Sequence, residues 1–195
     1  MAASEFDRRL QAAKDGDEAS FTDLFRSVQP RLLRYLRTVG GGLADDVAAE
    51  TWVSVVRGLH RFSGDEAQWH AWVFTIARAR LVDARRRAAR TAVPVDGDVL
   101  AEAVPAVADV SGTVEEMFST ESALSLIHTL PRHQAEVVLL RYVAGLDVAR
   151  TAEVLGRRPG AVRVTAHRAL KRLAAILEER ETNESSAGAV TPRRR

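Results

Sequence analysis

The sequence predicts an all-α protein of two small helical domains joined by a flexible acidic linker. Apolar residues recur at spacings of three and four through most of the chain, no stretch alternates apolar and polar as a half-buried strand would, and an acidic stretch containing Pro and Gly and lacking any period splits the chain. The length of 195 residues suits two small units better than one large one. At 46% hydrophobic, with 12 Gly and 6 Pro, the chain can bury an interior and is not fibrous. The absence of cysteine excludes a disulfide framework, a thiol nucleophile and thiolate-held zinc. No apolar run approaches the roughly 18 residues that span a bilayer. Glu5, Asp7, Arg8 and Arg9 break up the start, so no export signal, no membrane insertion and a cytoplasmic location are expected.

The first helix read from the pattern starts at Phe21. Phe21, Leu24, Phe25, Val28, Leu32, Leu36 and Val39 form one stripe, Gly40 to Gly42 stop it, and Pro30 predicts a bend inside it. Asp45 and Asp46 open a second helix at its positive end, with Val47, Thr51, Val55 and Leu59 facing inward. Phe62 to Gln68 reads as a polar loop. Trp69, Trp72, Val73, Ile76 and Ala77 then begin a long helix whose later turns carry Arg78, Arg80, Arg85, Arg86, Arg87 and Arg90. Residues 92–119 form the expected linker, with Pro94, Pro105, Gly97 and Gly112 among scattered acids. Four shorter helices follow: around Glu121 to Thr129; Pro131 to Ala144, with Pro in the first turn; Asp147 to Leu155, capped by Asp147 and stopped by Gly156; and Pro159 to about Glu178. Residues 179–195 are expected to be a disordered tail. The domains are therefore 1–91 and 120–178.

Charge is laid down unevenly. The formal net charge is only +2, yet residues 78–90 hold six Arg against Asp83 alone, residues 91–131 hold seven acids and no Lys or Arg, and residues 132–195 hold 13 basic groups against seven acids. Concentrated Arg attracts phosphate, while a segment carrying only carboxylates is repelled by DNA.

The most specific spacing is Ala152, Gly156, Val162, which suits a helix-turn-helix: a small residue where two helices touch, Gly in a left-handed turn, and an aliphatic anchor in the second helix. Stepping about 100° per residue puts Val162, Ala166, Ala169, Leu170 and Leu173 on a packed side. Val164, His167, Arg168 and Lys171 fall opposite, flanked by Arg163. An aliphatic Val164 among charges fits contact with a thymine methyl group, although single exposed apolar residues are common. Residues 157–172 carry six basic groups and no acid, as phosphate binding requires.

The run Leu130-Pro131-Arg132-His133-Gln134-Ala135-Glu136-Val137-Val138-Leu139-Leu140-Arg141-Tyr142, then Gly145-Leu146-Asp147-Val148-Ala149 and His167-Arg168-Ala169-Leu170, resembles sigma domain 4 of the extracytoplasmic-function (ECF) sigma factors of bacterial RNA polymerase. Pro30-Arg31-Leu32-Leu33-Arg34-Tyr35-Leu36, Asp45-Asp46-Val47-Ala48-Ala49-Glu50-Thr51-Trp52 and Ala71-Trp72-Val73-Phe74-Thr75-Ile76-Ala77-Arg78 are similar to sigma domain 2. Two unrelated motif sets stand in the family's order.

The resemblance implies a dissociable initiation subunit that binds the polymerase core through the beta-prime clamp helices and the beta flap, binds promoter DNA, and needs no cofactor, metal or catalytic residue of its own. On the helix matching the clamp-docking element, Asp46, Glu50, Thr51 and Trp52 would make that contact, with Trp52 equally readable as core. The loop matching Ser63, Gly64, Asp65 and Gln68, with Trp72 beyond it, would capture a flipped base of the minus-ten element. Arg78, Arg80, Arg85 and Arg86 would neutralise its backbone. Arg158, Arg163, Val164, Thr165, His167, Arg168 and Lys171 would meet the minus-thirty-five element. The acidic linker would thread the RNA path, its carboxylates mimicking nucleic-acid charge. Such factors commonly have an anti-sigma factor as partner.

Three positions depart from the family pattern: Ala49 stands where Gln is usual, Ala79 where Asn often lies, and Arg158 where Ser or Thr caps the reading helix. A stand-alone DNA-binding regulator would also explain the helix-turn-helix, but not the Arg-rich third helix or the acidic linker. An enzyme has little support. There is no Gly-Lys-Ser/Thr loop and no Gly-x-Ser-x-Gly elbow, and the five histidines, His60, His70, His128, His133 and His167, lack metal-ligand spacing.

Overall fold

The computed structural model describes residues 4–91 and 122–188, with side chains described through Arg90 and from Ser122 to Arg180. The expected linker and residues 189–195 of the expected tail lie outside the described residues. Among the described residues every regular element is helical.

Helix α1 (Glu5–Lys14) was not anticipated from the periodicity. It is started by a reciprocal capping box. The Ser4 hydroxyl accepts from the Asp7 N–H at 3.1 Å, and the Asp7 carboxylate accepts from the Ser4 N–H at 2.9 Å. Phe6, Leu10 and Ala13 bury its inner face, and it packs on helix α2 (Glu18–Gly40). That helix begins three residues before the expected Phe21, because Asp17 accepts the Ser20 N–H at 2.8 Å and caps the earlier turn. Its buried stripe is Leu24, Val28, Leu32, Tyr35, Leu36 and Val39, and the helix runs past Pro30, which lies on the exposed side.

Helix α3 (Ala44–Gly58) buries Val47, Ala48, Thr51, Trp52 and Val55, so the expected inward face is the inward face. A single 3-10 turn, Leu59–Arg61, leads to a short loop and then to helix α4 (Glu66–Thr91), the 26-residue spine of the first half. Trp69, Val73, Phe74, Ala77, Leu81 and Ala84 of α4 are buried, and α4 packs on both α2 and α3. This burial of large apolar side chains, each worth roughly 1.5–3 kcal/mol, holds the four helices together.

The second half contains α5 (122–128), α6 (Arg132–Val138) with a π-helical continuation over Leu139–Val143, α7 (Val148–Leu155) and α8 (Pro159–Gly188). Pro131 stands at the N-cap of α6, with ψ at 136°, rather than inside its first turn. Helix α8 continues ten residues beyond the expected end at Glu178. Glu178, Glu179, Arg180 and Glu181 are good helix formers, and no Gly or Pro intervenes before Gly188, so the expected tail is helical over its first ten residues.

The two halves touch. Helix α7 packs against α4, and α2 meets α6 and its π-helical continuation.

Candidate nucleic-acid interface

The helix-turn-helix is built as its spacing predicts. The Asp147 side chain caps α7 by accepting the Arg150 N–H at 2.7 Å, and this backbone bond is the main reason that its carboxyl is held below the ordinary carboxylate value. At the other end Gly156 takes φ 61°, ψ 39°, a left-handed conformation that a Cβ would strain. The Gly156 N–H donates to the Glu153 carbonyl at 3.1 Å and the Arg157 N–H to the Ala152 carbonyl at 2.9 Å, which closes the turn as a Schellman motif. Ala152 and Val162 are buried against each other's helices, as small and anchoring residues should be.

This turn aims one face of α8 outward. Arg158, Arg163, Val164, His167, Arg168 and Lys171 are exposed and Thr165 is partly buried. Val164 is 50% exposed, so an aliphatic side chain does stand in water between cationic neighbours. Inward, Val162, Ala166 and Ala169 are buried and Leu173 is partly so, but Leu170 is 42% exposed and leaves the packed side to which its register assigned it. It lies at the edge of the stripe and is only partly covered by the described residues. Arg158 provides its carbonyl to the start of α8, accepting the Val162 N–H at 3.2 Å.

The second surface lies on the first half. Asp65 and Gln68 form another reciprocal box: the Asp65 N–H donates to Gln68 Oε1 at 2.8 Å and the Gln68 N–H to Asp65 Oδ1 at 2.7 Å. Gln68 therefore belongs to the first turn of α4, and the loop is shorter than expected. A Cβ at Gly64 would lie 2.6 Å from Gln68 Oε1, so any larger residue there would have to displace the Gln68 side chain from this box. Behind the loop, Phe62 stacks on Trp72 at 4.9 Å and meets Trp69 edge-on at 5.5 Å. Ser63, Asp65 and Gln68 are exposed, and Trp72 is partly buried beside them.

The arginines of α4 have separate partners. Arg78 Nε donates to Glu136 at 2.9 Å. Arg80 Nε donates to the Ser54 hydroxyl at 3.1 Å and its guanidinium lies 4.0 Å from Asp83. Arg85 donates to the Val39 carbonyl at the end of α2, which makes it a brace between helices, and Arg86 is exposed. Of the four, Arg86 is exposed and the other three are partly buried.

On α3 the expected docking residues separate by depth. Asp46 is exposed and Glu50 half-exposed, with Glu50 paired to Arg87 at 2.9 and 3.0 Å. Thr51 is fully buried and donates its hydroxyl to the Val47 carbonyl at 2.6 Å, so it supports the helix and cannot itself touch a partner. Trp52 is 9% exposed. Its indole N–H donates to Gln29 at 2.6 Å and its ring lies 4.6 Å from Phe25. Exposed Val53 and Val56 lie on the outer side of the same helix, a signal that the charge pattern alone did not bring out.

No helix among the described residues is long and apolar enough to cross a membrane, and among them no group of three His, Asp or Glu side chains could hold a metal ion.

Comparison with known proteins gives two family matches. The model described as Sigma-70 region 2 matches residues 24–91, and the one described as Sigma-70, region 4 matches residues 120–173. An ECF RNA polymerase sigma factor, ShbA of Streptomyces griseus, is 36% identical over 185 residues, covering 87% of this chain and 94% of the relative. An ECF RNA polymerase sigma factor, SigD of Mycobacterium tuberculosis, is 33% identical over 180 residues, covering 89% of this chain and 84% of the relative. The fold is shared with the sigma factor RpoE of Bartonella quintana, solved in complex with the anti-sigma factor NepR, at 21% identity, a TM-score of 0.62, and coverage of 81% of this chain and 96% of that one.

Proposed function

Because the chain belongs to the ECF sigma factors of RNA polymerase, we propose that its two halves grip the two elements of one promoter while bound to core polymerase. The function of the family is transcription initiation, and the proposal concerns which residues carry it here. The outward face of α8, with Arg163, Val164, Thr165, His167, Arg168 and Lys171, enters the major groove at minus thirty-five, and Arg158 meets the phosphates beside it. There Arg and Lys supply bidentate or phosphate contacts, and Val164 supplies an apolar contact to a thymine methyl group. The single observation that carries this is Val164, 50% exposed on a face that also presents Arg163, Arg168 and Lys171.

Ser63, Gly64, Asp65, Gln68 and Trp72 form the minus-ten surface, with Arg78, Arg80 and Arg86 along the strand. Flipping a base costs a few kcal/mol of stacking, which stacking on an aromatic ring and phosphate neutralisation can offset. Arg85 acts through packing. Asp46 and Glu50 meet the beta-prime clamp helices, with Trp52 and Thr51 shaping that face from beneath. The functional units are 1–91 and 120–178, with residues 92–119 as the connecting segment. In this reading the chain has no catalytic chemistry, needs no cofactor, acts in the cytoplasm where its polymerase lies, and has a regulatory partner of the anti-sigma type.

The test is reconstitution with bacterial core polymerase and transcription of a fragmented genomic library. Mapped start sites should share two motifs at a fixed separation. Start sites without a common upstream motif would remove α8 from promoter reading.

A further inference from the structure

The cations nearest in sequence to the proposed minus-ten loop are not those that the charge pattern singled out. Arg80 and Arg85 of α4 are bonded within the first half, to the Ser54 hydroxyl and the Val39 carbonyl. Arg57, His60 and Arg61 stand at the entrance of the loop, where α3 runs through its 3-10 turn into Phe62, and all three side chains are exposed. Leu59 among them is buried, so positions 57, 60 and 61, spaced by three and four, share the outward side. Among the described residues no carboxylate pairs with any of the three. Their neighbours in sequence hold Trp72. A Cβ on Gly58 would lie 3.0 Å from Trp72 Cζ2, so the indole sits directly on the end of α3. Phe62 stacks on the same ring with centroids 4.9 Å apart. Arg57 adjoins the first of these contacts and Arg61 the second, which puts two guanidinium groups within a side chain's reach of the partly buried indole.

The sign of the charge turns over along α3. Asp45, Asp46 and Glu50 lie toward its start, on the side assigned to polymerase, and the basic group lies at its end, beside the loop. The helix macrodipole favours cations at this end with or without a ligand, so binding and stability have to be read separately. A base that leaves its stack for an aromatic ring brings its phosphodiester with it, and single-strand sites combine such rings with cations that track the backbone. We propose that Arg57 and Arg61 bind the phosphates flanking the base captured at Trp72, a contact additional to those of the α4 arginines. The proposal rests on the assignment of Trp72 and its loop to minus-ten DNA. The contact is indifferent to base identity, because a guanidinium paired with phosphate reads only the backbone.

Core polymerase reconstituted with the full-length chain is titrated with two labelled single strands of equal length over a range of salt concentrations, with core alone as the blank. One strand carries the minus-ten sequence recovered by start-site mapping and the other is an oligothymidylate. In Arg57→Gln with Arg61→Gln, affinity for both strands should fall several-fold by the same factor. The slope of log affinity against log salt should flatten by about 1.4, the weight of two phosphate contacts on a single strand. Arg61→Gln alone should flatten it by about half as much, and Arg57→Lys with Arg61→Lys should restore it. Melting temperature and affinity for core polymerase should stay the same. An unchanged slope in the folded double variant, even with weaker binding, overturns the proposal and leaves these cations as helix-end charges. Loss of core affinity with the slope intact overturns it in favour of a protein contact. If the double variant does not fold, Arg61→Gln decides by the same slope. A wild-type holoenzyme that fails to prefer the minus-ten strand to oligothymidylate would instead overturn the assignment of the loop, and the two failures are distinguishable.

Discussion

The ammonium of Lys14 donates to the main-chain carbonyl of Phe62 at 2.6 Å, tying α1 to the entrance of the loop that carries Ser63, Gly64 and Asp65. Helix α1 lies before the stretch matched by the region 2 family model, which begins at residue 24. It nevertheless fixes the carbonyl next to the proposed minus-ten loop. Lys14→Met should cost about 1 kcal/mol in stability and speed hydrogen exchange at the Ser63 to Asp65 amides, with Lys14→Arg restoring protection. Unchanged exchange at those amides would show that the loop is held by Phe62 stacking and the Asp65–Gln68 box alone.

Arg168→Glu should lower minus-thirty-five-dependent initiation by tenfold or more, about the weight of one bidentate base contact, while affinity for core polymerase stays the same. Loss of polymerase binding instead would mean that this face of α8 docks on the enzyme.

Asp46→Asn with Glu50→Gln should weaken core binding about tenfold with little change in melting temperature, since both lie on the outer side of α3. Trp52→Ala is a different experiment. Its ring packs on Phe25 and its N–H is held by Gln29, so truncation should cost about 3–5 kcal/mol and reduce binding only through unfolding. A folded Trp52→Ala chain that fails to bind core would return the indole to the docking surface.

Burial pushes the His70 imidazole below its usual 6.5, with the Arg31 guanidinium adding to the shift and Glu66 opposing it. The unfolded chain therefore takes up this proton at a higher pH than the folded chain. The associated stability is complete above the unfolded value and falls away as pH drops through 6.5 toward the folded value. Melting temperature should decline between about pH 7 and pH 5, and His70→Gln should flatten the decline. The helix-capping carboxylates are also held below 3.8, Asp7 and Asp147 chiefly by the backbone N–H groups of Ser4 and Arg150 and Asp17 chiefly by the Ser20 side chain and then its N–H, so their contribution is lost only at lower pH. An equal slope in the variant would place the titration elsewhere.

What could be read in advance was local. Ala152, Gly156 and Val162 announce their turn because each answers a constraint set within ten residues, and the stripe from Leu24 to Val39 follows from the helical period alone. Helix α1 was also legible, in the Ser4 to Asp7 box and the spacing of Phe6, Leu10 and Ala13, but the charged residues between them masked the stripe. Leu170 was misplaced because the register gives an angle and says nothing of whether a neighbour reaches that angle. Thr51 and Trp52 carried family roles that exposure could not check until α2 was seen against them. The junction at Tyr35, Arg78 and Glu136 had no signal at all, since its members stand 101 and 58 residues apart and only the tertiary packing brings them together.

The proposed function requires the polymerase to set the distance between two separately gripped elements. Its most direct test is initiation, in the presence of core polymerase, from a promoter recovered by start-site mapping, before and after about half a helical turn is inserted between the elements. The insertion should abolish transcription, and a deletion restoring the spacing should recover it. Equal transcription from both templates, or selective binding of the promoter by the chain without polymerase, would contradict it.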